Sequence, residues 1–299
     1  MGYHVPVLLH ESVGGLVENP DGVYVDLTFG GGGHSQEILK RLSPKGQLLA
    51  FDQDADAMAN AIDDSRFSLT RCNFKYFRHF LRFYGINEVD GILADLGVSS
   101  HHFDSPHRGF SFRFRGALDM RMNQDSALSA AHVVNDYNEA ELCRVLKDYG
   151  ELPNAKRLTG MIVKTRQQQR IETVEGLTDA INDAFPAKAR SKMLAKVFQA
   201  IRIEVNGEMD ALRTMLTESL RALKSGGVIA VISYHSLEDR LVKNYLRTGN
   251  FEGKQEQDFF GKVVSPFEVI TRKVKVPSSK EVDLNSRARS AKLRIGRKL

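Results

Sequence analysis

The amino-acid sequence predicts a doubly wound α/β sheet interrupted by an inserted, mainly helical domain. Three observations lead there: β-rich runs alternating with helical patterns, a glycine run at the first strand-to-helix junction, and more than 130 residues separating the fourth strand from the next. Residues 22–29 are β-rich and end in Gly30-Gly31-Gly32-Gly33-His34. A helical pattern follows, with Ile38, Leu39 and Leu42 on one face, and Ser43-Pro44-Lys45-Gly46 stops it. Residues 47–51 read as the second strand, closed by Asp52-Gln53-Asp54. A helix over 55–62 leads to a third strand near Phe67–Arg71, and 89–94 is the fourth, ending at Asp95.

The same alternation resumes near the far end. Met209, Leu212, Leu216, Leu220 and Leu223 recur at helical spacing up to Ser225-Gly226-Gly227, and the buried-type strand 228–233 follows directly. Residues 267–276 and 291–295 read as antiparallel partners at the sheet edge. The stretch between the fourth strand and residue 228 is far longer than a crossover needs. Its second half is helical in pattern over 139–147, 157–164, 174–185 and 188–205. The expected division is therefore one domain over 1–104 and 201–299, with an inserted domain over 105–200.

Composition narrows the function classes. With 299 residues, 42% of them hydrophobic, the chain can build a large core, which excludes a disordered or disulfide-stapled protein. The longest strongly apolar run, 228–232, is far short of the ~20 residues of a membrane span. His4, His10 and Glu11 stand where a signal peptide would be basic and then apolar, and Pro6 stands where a myristoylation motif wants Ser or Thr. Two cysteines, Cys72 and Cys143, suit a reducing compartment, so a soluble, cytoplasmic protein is expected. The net charge of +5 is uneven: residues 270–299 hold ten Lys or Arg against Glu281 and Asp283. That tail is +8 and the rest −3, which suits a polyanion such as nucleic acid as well as it suits a solvated terminus.

The glycine run lies where a doubly wound sheet binds its ligand, because glycines permit positive φ and close backbone approach. Asp52 ends the next strand, where an acidic side chain can accept both hydroxyls of an adenosine ribose; the plainer alternative is a helix N-cap. A dinucleotide and S-adenosylmethionine both fit such a site. The dinucleotide fingerprint needs a third glycine, where this chain continues His34-Ser35-Gln36. A helix ending in Gly-Gly, a buried strand and an antiparallel terminal pair look like a Class I (Rossmann-like) methyltransferase sheet, which favours the methyl donor.

Six motifs carry a closer resemblance: Asp95-Leu96-Gly97-Val98-Ser99-Ser100, Arg108-Gly109-Phe110-Ser111-Phe112-Arg113, Leu118-Asp119-Met120-Arg121-Met122, Phe198-Gln199-Ala200-Ile201-Arg202-Ile203, Ser233-Tyr234-His235-Ser236-Leu237-Glu238-Asp239-Arg240, and Arg287-Ala288-Arg289-Ser290-Ala291-Lys292-Leu293-Arg294. Together with the His4-Val5-Pro6 opening they resemble the bacterial 16S rRNA cytosine-N4 methyltransferases over nearly the whole chain. The resemblance implies transfer of a methyl group from S-adenosylmethionine to the exocyclic N4 amine of one cytidine in the decoding region (P site) of 16S rRNA. The substrate would be rRNA of the small ribosomal subunit, with no obligate protein partner inferred and the oligomeric state left open. Cofactor contacts would fall on Gly32, Gly33, His34, Asp52, Phe74, Asp95 and His102. His102 replaces a frequent Gln, and Phe114-Arg115-Gly116-Ala117 replaces a more usual acidic-Gly-Pro pattern.

The residues themselves suggest the chemistry. A cytosine amine is a poor nucleophile because its lone pair is delocalised into the ring. A carboxylate only accepts hydrogen bonds, so Asp95, at the carboxyl end of the fourth strand, can orient that amine; its alternative is a loop cap. Ser99 follows in the same turn. Tyr234, His235 and Ser236 come directly after the 228–233 strand, where a ring could stack on a flipped base and His235 or Ser236 could bond its edge, or Tyr234 could simply pack under the loop. Asp95, Ser99, Tyr234 and His235 are thus the expected catalytic set. Glu238, Asp239 and Arg240 read as a helix start with its own ion pair. No cysteine follows the fourth strand, which disfavours attack at cytosine C5. Phe103, Phe110, Phe112 and Phe114 interleave with Arg108, Arg113 and Arg115, so arginines facing RNA and at least two buried rings are expected. The histidine spacing implies no catalytic metal.

Overall fold

The computed structural model describes residues 6–260 and 263–299, so His4 and Val5 of the opening motif lie outside it. Its main sheet has seven strands: β1 Val23–Asp26, β2 Gln47–Asp52, β3 Phe67–Arg71, β4 Val89–Asp95, β5 Leu223–Ser233, β6 Phe267–Val269 and β7 Lys292–Lys298. They lie in the order β3-β2-β1-β4-β5-β7-β6. The first five pair in parallel, and β7 runs antiparallel between β5 and β6. This is the Class I methyltransferase order that the sequence predicts. The chain reverses its direction of winding between β1 and β4, which opens a crevice outside the strands' carboxyl ends.

The order follows from where the apolar runs lie. Ile92, Leu93 and Ala94 on β4 and Ile229 to Ile232 on β5 have no exposed surface, as expected of parallel strands covered on both faces. Helices α1 Leu9–Leu16 and α2 Gly33–Arg41 bury Val13, Leu16, Ile38 and Leu39 in the core that also contains Leu48, Leu93, Ala230 and Leu293. Three expectations fail locally. Leu223, expected on the helix that runs up to Ser225-Gly226-Gly227, instead opens β5 by pairing with Val89. The helix expected over 55–62 is a 3₁₀ turn, Ala55–Asn60, because it buries only Ala57 and has no apolar face to hold an α-helix. The strand expected over 267–276 stops at Val269. The Thr271 hydroxyl takes the Ile295 N–H (2.9 Å) that a strand carbonyl would accept, and pairing resumes only as a bridge between Lys275 and Leu293.

A second compact unit spans Val98–Glu208, and the first comprises Met1–Gly97 with Met209–Leu299. The expected limits of 105 and 200 therefore move outward. A boundary at 200 would cut through the helix Arg190–Asn206, which ends only where Gly207 turns left-handed (φ 58). The second unit contains six α-helices: α4 Ser100–Asp104, α5 Ala130–Asp136, α6 Glu139–Asp148, α7 Ala155–Gln168, α8 Val174–Ile181 and α9 Arg190–Asn206. Ser129, Asn138 and Thr173 cap α5, α6 and α8, and Val134, Val145, Ile162, Leu177 and Ile201 share one core. The first unit continues with α10 Glu208–Ala222, α11 Ser236–Thr248 and α12 Ser279–Leu284, in addition to α3 Phe77–Phe83. No helix among the described residues is long and apolar enough to cross a membrane.

Candidate active site at the carboxyl edge of the sheet

β1, β2 and β4 each end in an aspartate: Asp26, Asp52 and Asp95. Asp26 is buried, which pushes its carboxyl above the usual range. It accepts the Ser35 hydroxyl (2.7 Å) and the Thr28 N–H (3.1 Å). These bonds pin the first turn of α2 to the end of β1.

Between them runs the glycine turn. Gly32 is the N-cap of α2 in left-handed backbone (φ 76). A Cβ on Gly33 would stand 2.1 Å from Pro6 Cγ, so only glycine fits beneath the N-terminal segment. The Asp52 carboxylate accepts the N–H groups of Gly30 (2.8 Å) and Asp54 (2.9 Å), fastening the turn to the end of β2. The capping role considered for Asp52 falls instead to Asp54, which accepts the Asp56 N–H. Phe74, half-buried, opens a turn whose Asn73 amide donates to Gln53 Oε1 (2.7 Å), next to Asp52.

Asp95 is the strand-end carboxylate met by side chains from other segments. Its N–H donates to Thr28 Oγ1 (2.6 Å), its Oδ1 accepts the Tyr234 hydroxyl (2.8 Å), and its Oδ2 lies 3.8 Å from His34 Nδ1. Burial pushes its carboxyl up to about 6; the Asp26 and Glu238 charges act in the same direction, against His34 and Tyr234. Burial and the Asp95 charge hold the Tyr234 phenol well above its usual range, so it remains a donor. Its ring packs, half-buried, against the sheet core.

His235 and Ser99 are drawn into local caps. His235 is the N-cap of α11: Nδ1 accepts the Glu238 N–H (3.4 Å), which leaves the ring proton on Nε2, 3.2 Å from Glu238 Oε1. Buried Glu238 in turn accepts the N–H groups of Tyr234 (2.9 Å) and His235 (3.3 Å), so it shapes the turn that aims Tyr234. Asp239 pairs not with Arg240 but with Arg294 (2.7 Å) and Lys292 (3.1 Å) of β7. Ser99 and His102 belong to the second unit, where they cap α4 reciprocally through an Oγ–Nδ1 hydrogen bond (2.9 Å), with the His102 ring 4.8 Å from that of Phe110.

The structure therefore brings His34, Asp95 and Tyr234 together beyond the strand ends, with Gly32 and Gly33 preceding His34 at the start of α2 and Asp52 fastening their turn. The sequence reading missed Asp26, Thr28, Ser35 and Glu238. Asp26 carried a usable signal, an acidic residue at a strand end like Asp52 and Asp95. Thr28 and Glu238 act on backbone N–H groups and Ser35 on the Asp26 carboxylate, contacts that no spacing reveals. Cys72 is no nucleophile: burial and the Asp52 charge push its thiol up to about 12.

The basic expectations divide. Arg297 pairs with Glu18 (2.7 Å), and Lys298 donates to the Leu223 carbonyl (2.7 Å). With Lys292 and Arg294 held by Asp239, β7 uses its charges internally. Arg272, Lys273, Lys275, Lys280 and Arg289 remain exposed. Arg108 is buried, donating to the carbonyls of Arg121 and Met122 (3.1 Å each), so it is a structural arginine and does not face outward. Phe110 is buried and Phe103 and Phe112 pack on the second core, whereas Arg113, Phe114 and Arg115 are exposed.

Comparison with known proteins gives the lineage. The MraW methylase family model matches residues 1–299, and the chain belongs to that family. It is 56% identical over 299 residues to the ribosomal RNA small subunit methyltransferase H of Flavobacterium johnsoniae, covering all of this chain and 99% of that one. It is 57% identical over 298 residues to the protein of the same name from Parabacteroides distasonis, covering 99% and 98% of the two chains. An rRNA methylase of known structure from Streptococcus thermophilus is similar at 12% identity and a TM-score of 0.45, covering 99% of each chain.

Proposed function

From its place in the MraW methylase family, we infer that the chain transfers a methyl group from S-adenosylmethionine to the N4 amine of a cytidine in the decoding region of small-subunit rRNA, in the cytoplasm. The observation that carries the N4 assignment is Asp95: a nearly buried carboxylate at the switch point of the sheet, held by the Tyr234 hydroxyl on one oxygen. The site fits the methyl donor: the turn before α2 has open space at Gly30, and Asp52 offers acceptor capacity for ribose hydroxyls at the end of β2. Gly32, Gly33, His34, Asp52 and Phe74 would hold it. Bound there, it supplies a methyl group on a positively charged sulfur.

The chain's residues supply the rest. Asp95 accepts a hydrogen bond from the amine and holds it in the geometry in which its lone pair attacks. Tyr234 fixes the carboxylate, Glu238 and His235 fix Tyr234, and Ser99 shapes the turn beyond Gly97. Recognition of RNA falls to the second unit, supported by exposed Arg113, Phe114, Arg115, Lys156, Arg157, Lys188 and Lys192. Labelled methyl transfer to small-subunit rRNA, followed by nucleoside mass mapping, tests the reading. N4-methylcytidine is expected; a C5 product, or label in DNA and none in RNA, overturns it.

A further inference from the structure

His34 stands beside the carboxylate with one ring nitrogen already committed. Its Nε2 lies 3.1 Å from the Val7 carbonyl, and a carbonyl only accepts, so the ring proton of the neutral form sits on Nε2. That leaves Nδ1 as a lone pair, 3.8 Å from Asp95 Oδ2. The arrangement is held from outside the sheet. Leu8 is buried in left-handed backbone (φ 52), a costly conformation for leucine, and its N–H donates to Glu281 Oε1 (2.7 Å) at α12. Pro6 presses on Gly33, so the strap over 6–8 is fixed where its carbonyl meets the ring.

We propose that His34 is the positioning residue of the Asp95 site: locked as its Nε2–H tautomer by Val7, it offers Nδ1 as the final holder of the proton that leaves the cytidine amine through Asp95. As N4 bonds the methyl carbon, the sulfur keeps the electron pair of the bond it loses. The N4 proton passes to Asp95 and from there to Nδ1, giving an imidazolium paired with a carboxylate. A separation of 3.8 Å is too long for a direct hydrogen bond, and a turn of the carboxylate or one bridging water spans it. The other groups facing Asp95 cannot take this role: Tyr234 is a donor, and the carboxylates of Asp26 and Glu238 repel the charge of Asp95.

The inference rests on Asp95 as the group that meets the amine, and the test separates the two. In cofactor-free protein, ¹³C NMR follows the Asp95 carboxyl, identified by its absence in Asp95→Asn, and ¹⁵N NMR reports the His34 tautomer. The expected result is an Nε2–H ring whenever the parent's His34 is neutral and, in His34→Gln, which keeps a donor near Val7 but removes the imidazolium charge that lowers Asp95, an Asp95 midpoint raised by roughly one pH unit. The pH at half-maximal single-turnover rate moves upward with it. His34→Asn serves as the second variant. An Nδ1–H ring in the parent, or a folded variant whose Asp95 titrates like the parent's, overturns the role of His34. Full activity of Asp95→Asn overturns the underlying reading instead.

Discussion

The carboxyl ends of β2 and β4 both present an aspartate on the same edge of the sheet, yet their surroundings assign them different work. Asp52 receives two backbone N–H groups, from Gly30 and Asp54, and shapes the turn next to it. Asp95 faces a phenol and an imidazole in an almost dry setting. A carboxylate fed by backbone amides is a fixed acceptor suited to holding a ligand. One that is desolvated and met by side chains can change its proton near neutrality. One strand-end position in one sheet thus meets backbone donors at β2 and side chains at β4, which is the basis for proposing binding at the first and chemistry at the second.

The contrast breaks most sharply under truncation. Asp95→Ala is expected to lower the single-turnover rate at saturating cofactor by about 10²- to 10⁴-fold, with a much smaller change in cofactor affinity. Rapid-quench methylation beside calorimetry measures both; an affinity loss equal to the rate loss would make Asp95 another binding residue.

Stability supplies the next test. Burial raises Asp95 from 3.8 to about 6, so the folded protein binds this proton more tightly than the unfolded chain. The stabilising contribution is full below the unfolded value and lost as pH rises through about 6. Asp95→Asn escapes that loss. It is expected to exceed the parent in stability by up to roughly 3 kcal/mol at pH 8, an advantage that shrinks towards pH 4. Urea unfolding at the two pH values reads the difference.

Asp52→Ala is expected to weaken S-adenosylmethionine binding by about ten- to a hundredfold, with turnover at saturation largely retained. Asp52→Asn sharpens the result, because its amide oxygen can still accept the Gly30 N–H. Full recovery by Asn would mean that Asp52 works through the turn and not through the ligand.

The smallest effects concern the basic C-terminal region. Reversing Arg272, Lys273 and Arg289 is expected to flatten the salt dependence of rRNA binding by about 0.7–0.9 in slope per lost phosphate contact. Reversing Arg297, which is tied to Glu18, is expected to leave the slope unchanged and cost about 0–1 kcal/mol of stability. Binding titrations across salt, with thermal unfolding as control, distinguish these outcomes.

Much of the fold was legible because strand order depends on patterns that are local and redundant. Buried runs such as 228–232, glycine stops, and the surplus length before α10 each report on their own segment. Parts of the site were legible for the same reason: Asp52 and Asp95 sit at strand ends, and Gly33 at the helix start, that the pattern locates. The 3₁₀ turn at Ala55–Asn60 escaped because its helical propensity lacked a buried face to act on. The early end of β6 escaped because one hydroxyl, that of Thr271, displaces a carbonyl as acceptor.

By itself, the sequence determined the architecture, the cofactor turn and the lineage, since each is written in contiguous residues. Only tertiary structure decided what neighbours each charge. Arg108 became a buried tie, β7 spent its cations on Asp239 and Glu18, and Asp95 drew Tyr234 from 139 residues away. Hydrogen bonds and ion pairs act over a few ångströms regardless of separation along the chain. Which carboxylate meets backbone amides and which meets side chains is therefore settled only when the strands have brought their ends together.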